Sequence, residues 1–181
     1  MRLVETLPFL LGLGAALGSA SAWSLPTDRD QPIHIQSDDA QLDDKQGVAT
    51  YKGNVIITQG SMKITGNTVT ITRNAQGEVD VFTSVGNLAY YEQKPSPDKP
   101  IVQAYAVKIQ YNAAQDRITL IDRAKVINDG NTSEGEKIVY DTVRQIVSAG
   151  RATGSSVTTP RPRIDMVIQP KKKTEQPQKA Q

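Results

Sequence analysis

The sequence contains no cysteine, one histidine and few aromatic residues, which make up 5% of the chain. Without cysteine the chain can form neither a disulfide nor a thiol nucleophile, and one histidine cannot build a histidine-rich metal site. Alternation along Ile33, His34 and Ile35 directs the histidine away from its apolar neighbours and toward solvent. We therefore expect no enzyme activity, no cofactor, and a fold held by its apolar core alone.

The chain also lacks a large excess of positive or negative charge, since its formal net charge is +2. Nucleic-acid binding needs a clustered basic face and is therefore not expected. Asp38, Asp39, Asp43 and Asp44 form an acidic cluster, but their spacing does not match the regular calcium loop, so a solvated turn is favoured over a calcium site. The three lysines at residues 171–173 fit either a contact with anionic lipid or a solubilising tail.

The two ends of the chain are predicted to lie outside the folded domain. Residues 1–22 have the pattern of a secretory signal peptide, in which Arg2 supplies the positive charge, an apolar run follows, and small residues precede a cleavage site after Ala22. The apolar run is too short for a membrane anchor, which needs about 20 residues. We expect export, one domain over residues 23–168, and a disordered polar tail over residues 169–181.

β-Branched residues dominate residues 48–71, where 12 of 24 positions are Val, Ile or Thr. Apolar and polar residues alternate there, for example at Val69 and Ile71, and a period of two predicts strands with one buried face. We expect three glycines to divide this stretch into short strands: Gly53, Gly60 and Gly66.

A displacement of 69 residues relates the two halves of the chain. Segments that match under one displacement indicate stacked supersecondary units, which bury their apolar faces only against one another. The matched segments are residues 37–42 with 106–111, residues 66–71 with 135–140, and Val55 and Ile57 with Ala124 and Val126.

After residue 22 no segment shows a convincing helical pattern, so the sequence predicts an all-β fold of many short strands. Turns are expected at residues 43–47, 74–77 and 112–116, a surface loop at residues 93–99, and a last strand within residues 161–168. Such a chain forms a sandwich, a barrel, a jelly roll or a solenoid, and the repeat favours a solenoid-like jelly roll.

The inward positions of these strands form one apolar surface. The residues alone leave open whether this surface is the dry core of an exported structural β-repeat scaffold or a groove that holds lipid. An exported carbohydrate-active solenoid is disfavoured, because paired acids and exposed aromatics are scarce. The predicted inward positions are Ile33, Ile35, Leu42, Tyr51, Val55, Ile57, Ile64, Val69, Ile71, Ile109, Tyr111, Ile118, Leu120, Val126, Ile138 and Tyr140.

Three stretches carry a family pattern: residues 30–60 (DQPIHIQSDDAQLDDKQGVATYKGNVIITQG), residues 63–73 (KITGNTVTITR) and residues 135–141 (GEKIVYD). They resemble the OstA-like family of periplasmic lipopolysaccharide-transport proteins, and the likeness extends over the exported chain to about Ile168. The resemblance implies an open, twisted β-jellyroll of repeated short antiparallel strands, with a hydrophobic interior and a periplasmic location.

The resemblance also implies what the interior holds and what the two ends bind. The acyl chains of lipopolysaccharide, in its lipid A moiety, are expected in the groove, with Ile33, Ile35 and Tyr90 as lipid contacts. Copies are expected to stack head to tail into a filament that bridges the inner and outer membranes for export and outer-membrane assembly. An LptC-like inner-membrane protein is implied at the N-terminal edge and an LptD-like outer-membrane protein at the C-terminal edge.

Overall fold

The structure, a computed structural model, describes residues 28–150 and 163–170. The predicted signal peptide and residues 171–181 of the predicted tail lie outside these ranges. Within them a 3-10 turn, Asp28–Asp30, precedes ten strands, and no helix has the length and apolarity to span a membrane. The strands are β1 (His34–Gln36), β2 (Asp39–Asp43), β3 (Val48–Gln59), β4 (Met62–Arg73), β5 (Val79–Gln93), β6 (Val102–Asn112), β7 (Arg117–Asn128), β8 (Asn131–Asp141), β9 (Ile146–Gly150) and β10 (Asp165–Val167).

All ten strands form one antiparallel sheet in the order β1-β3-β4-β5-β6-β7-β8-β10. At the N-terminal end, β1 pairs with the second part of β3 and β2 pairs with its first part. At the C-terminal end, β10 pairs with the first part of β8 and β9 pairs with its second part. Each end of the sheet therefore presents two short edge strands that lie one after the other along the same partner strand.

A line of register shifts crosses the sheet, because each of the five pairings from β3–β4 to β7–β8 is irregular near the middle of its strands. Such bulges bend a strand sharply. The bend divides the sheet into an upper layer, which ends in β1 and β10, and a lower layer, which ends in β2 and β9. Small residues line the inside of this bend: Gly66, Ala89, Ala106, Ala124 and Gly135.

The bend brings the two layers face to face. Phe82 and Tyr91 are nine residues apart on β5, which in a straight strand would separate them by about 30 Å. Tyr111 pairs with Phe82 in the lower layer, yet its ring centroid lies 5.8 Å from that of Tyr91 in the upper layer. The sheet therefore folds over on itself into an open jellyroll, as the family resemblance implied.

The strands are longer and fewer than predicted, because two of the three glycines do not end a strand. Gly60 lies in the β3–β4 turn, but Gly53 and Gly66 lie inside β3 and β4 at the bend. A side chain at Gly66 would place its Cβ 2.2 Å from the hydroxyl of Ser84. The expectation that these two glycines divide the stretch was wrong, since a bulge bends a strand without ending it.

The 69-residue repeat is confirmed by the backbone. Residues with positive φ recur at the same displacement in both halves, at one hairpin turn before the bend, at two successive bulge positions, and at one hairpin turn after it. The pairs are Gly47 (64°) with Asp116 (50°), Gly53 (76°) with Asp122 (62°), Asn54 (45°) with Arg123 (53°), and Gly60 (58°) with Asp129 (50°). The two halves therefore bend and turn at equivalent residues.

Candidate functional site

The inner faces of the two layers form one apolar interior. Twelve of the predicted inward residues are buried there with at most 6% of their surface exposed: Val55, Ile57, Ile64, Val69, Ile71, Ile109, Tyr111, Ile118, Leu120, Val126, Ile138 and Tyr140. The strand register aligns them in rows across the sheet, so one row runs Ile57, Ile64, Tyr91, Ala104 and Val126. Apart from the tyrosines, the only buried polar residue among the described residues is Ser84, whose hydroxyl donates to the carbonyl of Thr65 at 2.9 Å.

The interior opens at its N-terminal end into a cavity of about 180 Å³. Ile33, Ile35 and Tyr51 line this cavity, are partly buried and pack against the core, as predicted. Leu42 also lines this cavity and so faces inward, as predicted, although it is 62% exposed. The reason is its position on β2, which is an edge strand with no neighbour to cover its outer side.

Tyr90 does not lie in the interior, so its predicted placement was also wrong. Tyr91, one residue later, is fully buried and pairs with the inward Ile64. Tyr90 lies on the outer face, where its ring centroid is 4.9 Å from that of Tyr105. Its hydroxyl donates to Glu92 and accepts a hydrogen bond from Gln103.

Sequence reasoning also missed part of the interior. The buried residues absent from the predicted set include Met62, Phe82, Tyr91 and Val102, with alanines near the bend. On β6, Val102, Ala104 and Ala106 alternate with less buried residues, and this pattern could have identified them as inward positions. Small apolar residues fill an inner face as well as large ones do.

The C-terminal end of the interior contains a buried hydroxyl that has no partner. The ring of Tyr140 is 1% exposed, and its oxygen has no hydrogen-bond partner among the described residues. Burial raises the pKa of Tyr140 to about 12. Beyond it, the edge strands and their flanks expose large apolar residues to solvent: Ile146, Ile164, Met166, Val167 and Ile168.

The electrostatic character of the interior suits an apolar ligand. Burial raises the pKa of Tyr91 and that of Tyr111, so both rings are neutral at pH 7. His34 is exposed on the outer face, as expected. In the part of the chain that the structure describes, no group of three or more acidic, histidine or cysteine side chains could hold a metal ion. The chemistry available in the interior is therefore the burial of apolar surface.

A family model described as "LptA/(LptD N-terminal domain) LPS transport protein" matches residues 34–146, which include β1 to β8. The chain belongs to this family. The lipopolysaccharide export system protein LptH of Pseudomonas aeruginosa is 66% identical over 175 residues, which are 97% of this chain and 100% of that protein. The export system protein LptA of Escherichia coli K12 is 35% identical over 156 residues, which are 85% of this chain and 83% of that protein.

A solved structure from the same transport system also matches the fold of this chain. It is the crystal structure of LptH, "the LptA homologous periplasmic component of the conserved lipopolysaccharide transport device" of Pseudomonas aeruginosa, which matches with a TM-score of 0.74. The match covers 80% of this chain and 100% of that chain. The predicted fold and the predicted class of function, lipopolysaccharide transport, are confirmed over the alternative of a structural scaffold. The non-enzymatic role of these relatives agrees with the prediction that the chain is not an enzyme.

Proposed function

We propose that this chain shields the acyl chains of lipopolysaccharide inside its jellyroll and passes them along the row of strands from β1 to β10. The observation that carries the proposal is the continuous apolar interior, which reaches the N-terminal opening at Ile33 and Ile35. The proposed lipid contacts are the interior residues of both layers, with Tyr91 in place of Tyr90.

The energy of hydration makes such shielding necessary. An acyl chain of about a dozen carbons costs about 9 kcal/mol to expose to water, at about 0.8 kcal/mol per methylene. A lipid with several such chains needs an apolar environment at every step of its path. The N-terminal cavity of about 180 Å³ is smaller than typical ligand pockets, which begin at about 300 Å³, so acyl chains enter only if the two layers separate.

The ends of the sheet supply the proposed partner surfaces. Open strand edges pair readily with strands of another chain. We assign the N-terminal edge, β1 and β2, to an LptC-like inner-membrane protein, and the C-terminal edge, β9 and β10, to an LptD-like outer-membrane protein. Head-to-tail association of copies uses the same two edges, and the exposed Ile164, Met166 and Ile168 provide apolar surface for the contact.

The proposed location is the periplasm, after cleavage of the signal peptide behind Ala22. In this proposal residues 23–168 are the folded domain and residues 169–181 are a tail. Export to the periplasm matches the proposed task, since the lipid has to cross an aqueous compartment between two membranes.

The experiment that tests this function is photo-crosslinking in living cells, with a photoreactive amino acid at Ile35 and a blot for lipopolysaccharide. The matched control is the same amino acid at His34, which lies on the same strand and faces outward. We expect a lipid adduct from Ile35 and none from His34. If Ile35, Tyr51 and Leu120 all fail to crosslink, the interior is an ordinary dry core and the proposal is wrong.

A further inference from the structure

The side of the jellyroll opposite the bend is a seam, where the ends of the two layers face each other. A cavity of about 890 Å³ opens along it. Ser61, Gln93 and Lys94 line the cavity from the upper layer, and Tyr111 and Asp116 line it from the lower layer. On the other side of the interior, the strands pass through the bend without a break. The seam is thus the long opening toward solvent.

The 3-10 turn Asp28–Asp30, which we call the strap, crosses this seam. The Asp28 carboxylate accepts hydrogen bonds from the Ser61 backbone nitrogen at 2.7 Å, the Ser61 hydroxyl at 2.6 Å and the Gln93 amide at 2.8 Å, all in the upper layer. Arg29 donates to the carbonyl of Ala113 and pairs with the carboxylate of Asp116, both in the lower layer. Two successive residues therefore hold opposite layers.

The two attachments of the strap differ in strength. On the upper side, the chain continues directly into β1, and the Gln59 amide donates to the carbonyls of Arg29 and Gln31 at 3.0 Å each. On the lower side, every contact runs through the one side chain of Arg29, which meets the Ala113 carbonyl, the Asp116 carboxylate and the Tyr111 hydroxyl. Water reaches the ion pair, since the side chains of Arg29 and Asp116 are 45% and 31% exposed, and ion pairs that water reaches contribute about 1 kcal/mol or less. The strap is thus fixed to the upper layer and held only weakly to the lower one.

We propose that the strap is a closure on the lipid path, released at Arg29 when lipid enters. This inference rests on the proposed function. An amphiphile whose acyl chains lie between the layers must keep its polar head in water, and the seam is the long opening toward water. The strap occupies that opening while the layers pack against each other. Its weak lower attachment lets it swing away with the upper layer as the layers separate.

The test locks the strap with a reducible bis-maleimide crosslinker, which is practical because the chain contains no cysteine of its own. In the double variant Arg29→Cys, Asp116→Cys the crosslinker joins the strap to the lower layer; a direct disulfide is not used, because residues that pair through a long arginine side chain can lie farther apart than the about 7 Å between Cα atoms that a disulfide spans. The matched control is Lys125→Cys, Glu134→Cys with the same crosslinker, since these side chains pair at 2.8 Å across β7 and β8 on the outer face. Binding of purified, fluorescently labelled lipopolysaccharide is measured for each protein, crosslinked and then reduced, and thermal melting checks that each is folded.

We expect the crosslinked strap variant to lose at least tenfold in lipopolysaccharide affinity and to recover on reduction, while the crosslinked control binds normally. A second variant, Arg29→Ala, is expected to take up lipid several-fold faster, whereas Lys125→Ala, which removes the outer-face pair with Glu134, is not. Normal binding by the crosslinked strap variant, or unchanged uptake by Arg29→Ala, overturns the strap alone. Absence of binding by the unaltered protein overturns the proposed function, and the strap with it.

Discussion

The ring of Tyr91 in the upper layer contacts the ring of Tyr111 in the lower layer, with 5.8 Å between centroids and 48° between planes. Tyr111 also stacks on Phe82 at 6.0 Å within its own layer. Among the described residues, these three rings form the largest aromatic group of the interior, and they connect its upper and lower layers. Tyr91 thus contacts the opposite layer, whereas its neighbour Tyr90 lies on the outer face against Tyr105.

Replacing Tyr91 with alanine should lower the free energy of unfolding by about 3–5 kcal/mol, because it empties a fully buried ring site between the layers. Tyr90→Ala is the matched control and should cost about 1 kcal/mol, since that ring lies partly exposed on the outer face. Urea denaturation at pH 7 measures both. Equal losses for the two variants would contradict the assignment of their faces.

A charge at the N-terminal opening should weaken lipid binding. In Ile35→Asp a carboxylate replaces an apolar side chain that packs against the core at the N-terminal cavity, so we expect at least a tenfold loss of lipopolysaccharide affinity. His34→Asp adds the same charge one residue away on the outer face and should bind normally. Equilibrium binding of labelled lipopolysaccharide to the folded proteins is the measurement, and equal affinities would exclude Ile35 from the path.

The unpartnered hydroxyl of Tyr140 should make its removal favourable. Tyr140→Phe deletes a buried polar atom that has no hydrogen bond to residues 28–150 or 163–170, so we expect the free energy of unfolding to rise by about 1 kcal/mol. Tyr91→Phe is the contrasting variant, because it loses the hydrogen bond from the hydroxyl to Gln93 and should be less stable by about 1 kcal/mol. Chemical denaturation that ranks the two variants in the opposite order would contradict this account.

The same residue should make the protein sensitive to alkali. The pKa of Tyr140 is raised to about 12 in the folded chain, against about 10 in an unfolded one. The unfolded state loses this proton first as the pH rises. The contribution of Tyr140 to the free energy of unfolding is therefore complete below about pH 10 and is lost as the pH rises through about 12. We expect stability to fall across this range, and to fall less in Tyr140→Phe, in denaturation curves at stepped pH.

The matched bulges allow an exchange of residues between the two halves. Arg123 adopts a φ of 53° where its counterpart Asn54 has 45°. Asparagine tolerates this conformation better than a long side chain, which costs about 1–2 kcal/mol. We expect Arg123→Asn to gain up to about 1 kcal/mol in stability and Asn54→Arg to lose about as much. Opposite signs in thermal or chemical denaturation would show that the side-chain contacts outweigh the backbone strain.

Much of the fold follows from the sequence because β-branched residues mark the inner face plainly. Val69 and Ile71, or Ile109 and Tyr111, are apolar where their neighbours are polar, so the buried side is evident without coordinates. The 69-residue displacement is likewise visible as a spacing of apolar positions. Leu42 shows the limit, since its pattern is that of a buried residue while its edge position leaves it exposed.

The error at Tyr90 has a geometric cause. In β5 the inward positions are Phe82 and Ser84 before the bend, and Ala89 and Tyr91 after it. The bulge between them shifts the alternation by one residue, so even positions face inward on one side and odd positions on the other. Two adjacent tyrosines offer no difference in polarity that could reveal the shift. The strap could not be predicted from the sequence either, because its hydrogen bonds join residues that lie far apart in the chain.

The equivalence of the bends in the two halves has a consequence for movement along the interior. Because the wall turns at matched residues, equivalent positions of the two halves carry apolar side chains. In the proposed function, an acyl chain that slides from one half to the next exchanges one apolar environment for a similar one. Burial in either half then favours neither direction strongly, so we expect the direction of travel to be imposed by whatever loads the first strand and unloads the last.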